Sequence, residues 1–239
     1  MLSNENTTVL ITGASRGLGL ELVRQYSAAG WQVIACCRHP ERATALCQIV
    51  AQASGRVHVM PLDVSNVESI HRLAQSLSGL AIDVLINNAG IYGPEDQGDM
   101  TSLATHAAQW HEVFAVNTMA PVFLSSALLS NLQLGHKKTI AFMSSKMGSM
   151  TDNHSGGDYI YRSSKAALNA VGKSLALDLA EQHIKLVLLH PGWVQTDMGG
   201  PRALITPEQS VTGIRTLLDN LTPENSGFFF QYDGSELPW

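Results

Sequence analysis

Tyr161 and Lys165 stand four residues apart in Tyr161-Arg162-Ser163-Ser164-Lys165, a spacing that puts both side chains on one face of a helix. A lysine ammonium about 4 Å from a phenol, at an effective dielectric of about 20, favours the phenolate by about 4 kcal/mol, or roughly 3 pKa units. From an ordinary value of about 10, this brings the phenol toward neutral pH. There it works best as a general acid or base, giving a proton to a developing alkoxide or taking one from an alcohol. An apolar run ends in Met143-Ser144-Ser145, sixteen residues before the tyrosine, and a serine hydroxyl at such a strand end can hold a carbonyl oxygen. Tyr-x-x-x-Lys also occurs often as a surface pair, so the weight of the motif depends on what accompanies it. Tyr159, six residues before Lys165, has the wrong helical phase.

The second group of residues suits an anion. Thr12-Gly13-Ala14-Ser15-Arg16-Gly17-Leu18-Gly19 lies where an apolar strand must turn into an amphipathic helix. Glycines admit positive φ and close backbone approach, and a helix N-terminus adds free N–H donors and a positive dipole end. The ligand this fits is a pyrophosphate. The spacing is Gly-x-x-x-Gly-x-Gly, with Leu22 where the third glycine of the usual dinucleotide fingerprint falls, so a tight structural turn is the alternative. The second strand ends at Arg38, where an acid would bind a ribose hydroxyl and a base accommodates a 2′-phosphate. Arg16 can reach the same phosphate, so the pair predicts NADP(H) in preference to NAD(H).

These groups need a scaffold that delivers them to one edge. Apolar runs at 8–11, 32–36, 57–60, 84–86, 139–143, 185–189 and 228–231 alternate with helical periodicity. Continuous rather than alternating apolar runs indicate strands buried on both faces, hence a parallel sheet with crossover helices. The expected fold is α/β, a single-domain, Rossmann-like, doubly wound parallel sheet of about seven strands with helices on both faces. Ligands of such sheets bind at the carboxyl ends of the strands. Asp63-Val64, Asn87-Asn88-Ala89-Gly90 and His190-Pro191-Gly192-Trp193-Val194-Gln195-Thr196 all fall there. Asp63 can accept from an adenine amino group or simply cap a turn. Asn87 and Asn88 can close a turn of their own, while Ala89 and Gly90 are small enough for a ring or ribose to lie on the backbone. Thr196 faces the nicotinamide end. The periodicity predicts helices over 17–29 and 102–132, the latter with Asn117 as a lone polar residue among apolar ones, and a helix starting near Thr206-Pro207-Glu208.

Composition excludes several classes of function. The 239 residues are 45% hydrophobic and 15% charged, which is globular, and a net charge of −5 with no basic cluster argues against nucleic acid. No apolar run is long enough to span a bilayer, and residues 1–6 lack a basic start, so no membrane and a cytoplasmic location are expected. Cys36, Cys37 and Cys47 offer no metal-ligand spacing and read as buried thiols in a reducing compartment; no metal is expected.

Taken together and in this order, these motifs resemble the short-chain dehydrogenase/reductase family along nearly the whole chain, 1–239, with a cofactor half of roughly 1–145 and a catalytic, substrate-side half of roughly 146–239. The stretch after the glycine turn, His190 to Gly200, and the ending Asp233-Gly234-Ser235-Glu236-Leu237-Pro238-Trp239 are similar to the sniffer-like carbonyl reductases and the C-factor-like proteins. The resemblance implies that Tyr161 donates the proton, Lys165 lowers its pKa and binds the nicotinamide ribose, Ser145 positions the carbonyl, and Asn117 holds a water in the proton relay. It also implies a cofactor set of Gly13, Ser15, Arg16, Gly17, Leu18, Gly19, Arg38, Asp63, Val64, Asn88, Ala89, Gly90, Tyr161, Lys165, Pro191, Gly192, Val194 and Thr196. The interval from Ser145 to Tyr161 is about three residues longer than in many members, which leaves Ser144 as the alternative. The family pattern puts the second serine of such a pair in the site and selects Ser145.

The implied function is NADPH-dependent reduction of small or medium aldehydes and ketones; the alternative is a C-factor-like nucleotide-binding regulator with little turnover. A short lid over 198–205, whose one charge is Arg202, and adaptable walls from Trp193, Met147 and Met150 predict an apolar substrate and weak discrimination. Asp152 and His154 belong to the inserted loop and read as surface residues, with a place at the substrate mouth as the alternative. Leu168, Val171, Leu175 and Leu179 form one apolar stripe for the sheet, while Ala166, Ala170 and Leu177 lie on a second face. A helix apolar on two faces predicts a homo-oligomer, most simply a dimer, paired through the helices that carry Asn117 and Tyr161.

Overall fold

Strands buried on both faces send successive side chains to opposite layers, and β1 does so with Val9 and Ile11 in one core cluster and Leu10 in the other. The computed structural model describes residues 7–94 and 101–239; the expectation drawn from residues 1–6 lies outside them. In chain order the elements are β1 (Thr8–Thr12), α1 (Gly17–Ala28), β2 (Gln32–Cys37), α2 (Thr44–Gln52), β3 (Val57–Pro61), α3 (Val67–Ser76), β4 (Val84–Asn87), α4 (Ala107–Phe114), α5 (Ala120–Ala127), α6 (Leu129–Leu134), β5 (Thr139–Met143), α7 (Tyr159–Asp178), β6 (Lys185–His190), α8 (Pro207–Asp219) and β7 (Phe229–Gln231). The strands form one sheet in the order β3-β2-β1-β4-β5-β6-β7, with every neighbouring pair parallel. This is the expected doubly wound, Rossmann-like single domain. Strand order reverses between β1 and β4, which opens a crevice at their carboxyl ends.

One core layer joins the sheet to Leu22, Val23 and Tyr26 of α1, Leu46 of α2 and Val211, Ile214 and Leu218 of α8. The other joins it to Ile70 and Leu73 of α3, Leu124 of α5 and Leu168 of α7, with Val171 and Leu175 packed against its edge. The start of α8 is fixed by a capping box between Thr206 and Gln209, with Pro207 in the first turn.

The single helix expected over 102–132 is corrected. A 3-10 turn (Leu103–His106) precedes α4, a π turn (Ala115–Met119) joins α4 to α5, and the helix stops at Leu128 before α6. Pro121 has no N–H to give to the Asn117 carbonyl, and the Ala120 N–H bonds Ala115, five residues back. The irregularity is therefore written by a proline and falls on Asn117. The cysteines also differ in part: Cys36 and Cys37 are buried, whereas Cys47 is exposed on α2. Among the described residues, no helix is long and apolar enough to cross a membrane.

Candidate active site

The glycine turn is held open by its neighbours. Gly13 and Gly17 have φ of +66° and +53°, and a Cβ added at Gly19 would meet the Gly13 carbonyl oxygen at 2.1 Å. The Asn88 side chain donates to the Thr12 carbonyl at 2.9 Å, while Asn88 and Ala89 N–H groups donate to Thr12 Oγ1 at 3.0 and 2.9 Å. The ends of β1 and β4 are thus stitched together across the crevice. At the start of α1, Arg16 is the N-cap and makes no side-chain capping bond, and no acid lies in the first turn, so the helix presents its donors to an anion.

Asn117, brought inward by the π turn, clamps the next stretch of loop. Its Oδ1 accepts from Ile91 N–H at 2.9 Å, and its Nδ2 donates to the Ile91 carbonyl at 2.8 Å and to Ser164 Oγ at 3.1 Å. The side chain is therefore committed to positioning, so any water that Asn117 holds must be bound elsewhere on the residue. The clamp sets the loop backbone close to the lysine: a Cβ at Gly90 would lie 3.3 Å from Asn117 Oδ1 and 3.6 Å from Lys165 Nζ. A flat group can lie there only because the side chain is missing.

Tyr161 and Lys165 are both buried, one turn apart on α7. The Ser145 hydroxyl is hydrogen-bonded to the Tyr161 hydroxyl and also accepts from Met147 N–H at 3.2 Å. Ser144, the alternative, is turned away, its hydroxyl donating to Asn169 Oδ1 at 2.6 Å inside the core. Tyr159 is exposed at the first turn of α7, on the other side of the helix.

The expected depression of the Tyr161 pKa is corrected. Burial denies the phenolate its hydration and pushes Tyr161 up to about 12, although the Ser145 hydroxyl opposes the rise. The Lys165 ammonium lies 5.7 Å from the Tyr161 ring centroid and donates to the Met143 carbonyl at 2.8 Å. Burial in turn lowers Lys165 to about 8. The chain's own groups thus hold Tyr161 protonated at neutral pH with Lys165 still mostly cationic, which is the state of a proton donor.

The remaining residues form the rim. Asp63 accepts from Ser65 N–H and Oγ at 3.0 and 2.7 Å through Oδ1, so it shapes its own turn. Val64 packs at the edge of the core. Thr196 lies against Gly17, where a Cβ would meet its Cγ2 at 3.4 Å, and Val194 is buried and bridged to Ile205. The Pro191 carbonyl accepts from Ser210 Oγ at 2.6 Å, anchoring the segment to α8. Arg16 pairs with Asp197 at 2.6 Å, both exposed, and Arg38 is exposed at the end of β2. Arg202 is exposed, as are Trp193, Met198 and Leu204. Asp152 pairs with Lys146 at 3.2 Å, and His154 is exposed.

Two residues at the site were missed. Tyr92 stacks on Tyr161, ring centroids 4.6 Å apart, and its hydroxyl donates to Asp158 Oδ1 at 2.7 Å. The only local signal was the position of Tyr92 directly after Asn88–Ile91. Among the described residues, no group of three His, Cys, Asp or Glu could hold a metal ion.

Residues 7–204 match the family model for short chain dehydrogenase. The C-signal protein of Myxococcus xanthus is 44% identical over 164 residues, covering 66% of this chain and 93% of its own. Among solved structures, the carbonyl reductase Sniffer of D. melanogaster superposes with a TM-score of 0.89 at 34% identity, covering 98% of this chain and 99% of its own. An NADPH-bound carbonyl reductase from chicken fatty liver gives 0.84 at 34% identity, covering 97% and 98%.

Proposed function

Because the chain belongs to the short-chain dehydrogenase family, we propose that it is a cytoplasmic NADPH-dependent oxidoreductase that reduces the carbonyl of small or medium aldehydes and ketones. The observation that carries the reading is the buried Tyr161 hydroxyl, kept protonated and bonded to Ser145, with the Lys165 ammonium on the same helix face. When bound, the nicotinamide supplies the hydride. Tyr161 gives its proton to the carbonyl oxygen, Ser145 holds that oxygen, and Asn117 fixes the loop that presents Ala89 and Gly90. Lys165 holds the ribose and the charge that develops on Tyr161. A protonated phenol is the form that can give its proton to a developing alkoxide. The exposed apolar side chains Trp193, Met150 and Leu204 and the exposure of Arg202 agree with broad, apolar substrates.

The test is the loss of NADPH absorbance against neutral aldehydes, ketones and diketones, with keto acids as the contrast. Turnover of the neutral set is expected. A hundredfold preference for keto acids that vanishes in Arg202→Ala rejects the apolar substrate, and tight NADPH binding without turnover favours the C-factor-like regulator.

Cofactor choice follows from Arg16 and Arg38. Arg38→Asp removes a charged hydrogen bond and adds a like charge, and is expected to weaken NADPH binding by about 2 kcal/mol or more with little effect on NADH. Equal affinity of the unmutated protein for the two cofactors counts against the assignment.

The dimer reading is supported by Met119, Phe123 and Leu177, which are 46%, 40% and 66% exposed in the single chain, and by a groove on α4 lined by Trp110, His111, Phe114 and Met119. Sedimentation at micromolar protein is expected to give twice the 25.7 kDa chain mass; a clean monomer rejects the pairing.

A further inference from the structure

We infer that Tyr92 is a positioning residue for Tyr161: it fixes the ring whose hydroxyl delivers the proton. The inference deepens the reductase reading and rests on it.

Two restraints fix the Tyr92 ring, and a third contact sets it against Tyr161. The backbone just before it is clamped, because both the N–H and the carbonyl of Ile91 are bonded by the Asn117 side chain. The hydroxyl end is held by Asp158 at 2.7 Å. Asp158 is itself fixed as the N-cap of α7, with φ of +48°, and its carbonyl accepts from Arg162 N–H at 2.9 Å. The ring face lies on Tyr161 at 4.6 Å with the planes 30° apart, an offset-stacked contact.

Tyr161 is buried, and the Tyr92 stack is the ring-on-ring contact it makes. A phenol turns about two side-chain torsions, and the outer one is broad and only weakly restrained by its own preferences. Ser145 bonds the hydroxyl at its tip, whereas Tyr92 bears on the face of the ring. The stacked Tyr92 ring restrains that outer torsion from one face of the phenol. Tyr92 also ties the loop after β4 to the N-cap of α7 through Asp158. Misplacing a reacting group by about 1 Å can cost up to about a hundredfold in rate, which sets the scale of the effect.

The experiment separates a positioning role from a merely structural one. Tyr92→Leu is expected to lower kcat about tenfold or more, with NADPH affinity within about twofold and Tm nearly unchanged, since Leu fills much of the space but cannot stack. Tyr92→Phe keeps the ring and is expected to recover most of that loss; the remainder reports the Asp158 bond. In a Tyr161→Phe background, Tyr92→Leu is expected to cost nothing further, because a residue acting through the Tyr161 hydroxyl has nothing left to position. Unchanged kcat in Tyr92→Leu overturns the inference. So does a further loss in the double variant, or a parallel collapse of Tm and NADPH binding. If Tyr161→Phe alone retains full activity, it is the reductase reading that fails.

Discussion

Tyr161→Phe is expected to lower carbonyl reduction by at least about a hundredfold while NADPH binding stays within about twofold. General acid catalysis by a positioned side chain contributes about 10²–10⁴-fold, and the substitution removes one hydroxyl and no packing volume. The ring keeps its stack on Tyr92 and its place in α7, and Ser145 retains the bond from Met147 N–H. The loss should therefore fall on kcat and kcat/KM together, the pattern of an interaction made in the transition state. Tyr159→Phe is the control on the same helix turn, exposed and two residues away, and should be mild. Equal loss in the two variants would mean that the wrong face of α7 has been assigned.

How much was legible before the structure differs from residue to residue. The strands were readable because each is buried on both faces and so appears as an unbroken apolar run, and parallel order followed from the helices between them. Residues brought together by a fixed spacing were readable too: Tyr161 with Lys165 on one helix face, and the glycines that turn β1 into α1. What the sequence hid depends on contacts between distant segments. Asn117 was marked as odd, but its partner is a backbone 26 positions upstream. Tyr92 lies 69 positions before the ring it stacks on, as the two residue numbers give by subtraction, and no local pattern announces that meeting. The Tyr161 pKa went the wrong way for a related reason. A pairwise Coulomb argument sees the ammonium and not the depth of burial, and in the folded chain burial is the larger effect.

Lys165→Met should separate the cost of burying the lysine from its use. The ammonium is enclosed, and burial lowers Lys165 from 10.5 to about 8. A folded pKa below the unfolded one means that the unfolded chain binds the proton more tightly. The resulting penalty on folding is fully present below pH about 8 and relieved by about 10.5. At pH 7 Met removes that penalty, at most about 3 kcal/mol, and forfeits the donor to the Met143 carbonyl, which costs about 1–3 kcal/mol. The two nearly cancel, so Tm at pH 7 should not fall. Activity should behave quite differently. With no cation to hold the ribose and offset charge on Tyr161, kcat should drop about a hundredfold and NADPH affinity about tenfold, on the scale of a lost charged hydrogen bond. The unmutated protein should lose NADPH affinity as pH rises through about 8, where Lys165 surrenders its proton, and the Met variant should show no such limb. Titrations of NADPH binding across about pH 6.5 to 9.5, roughly 1.5 units either side of that value, decide it. A limb near pH 8 that survives in Lys165→Met would assign the titration to another group and remove Lys165 from the ribose site.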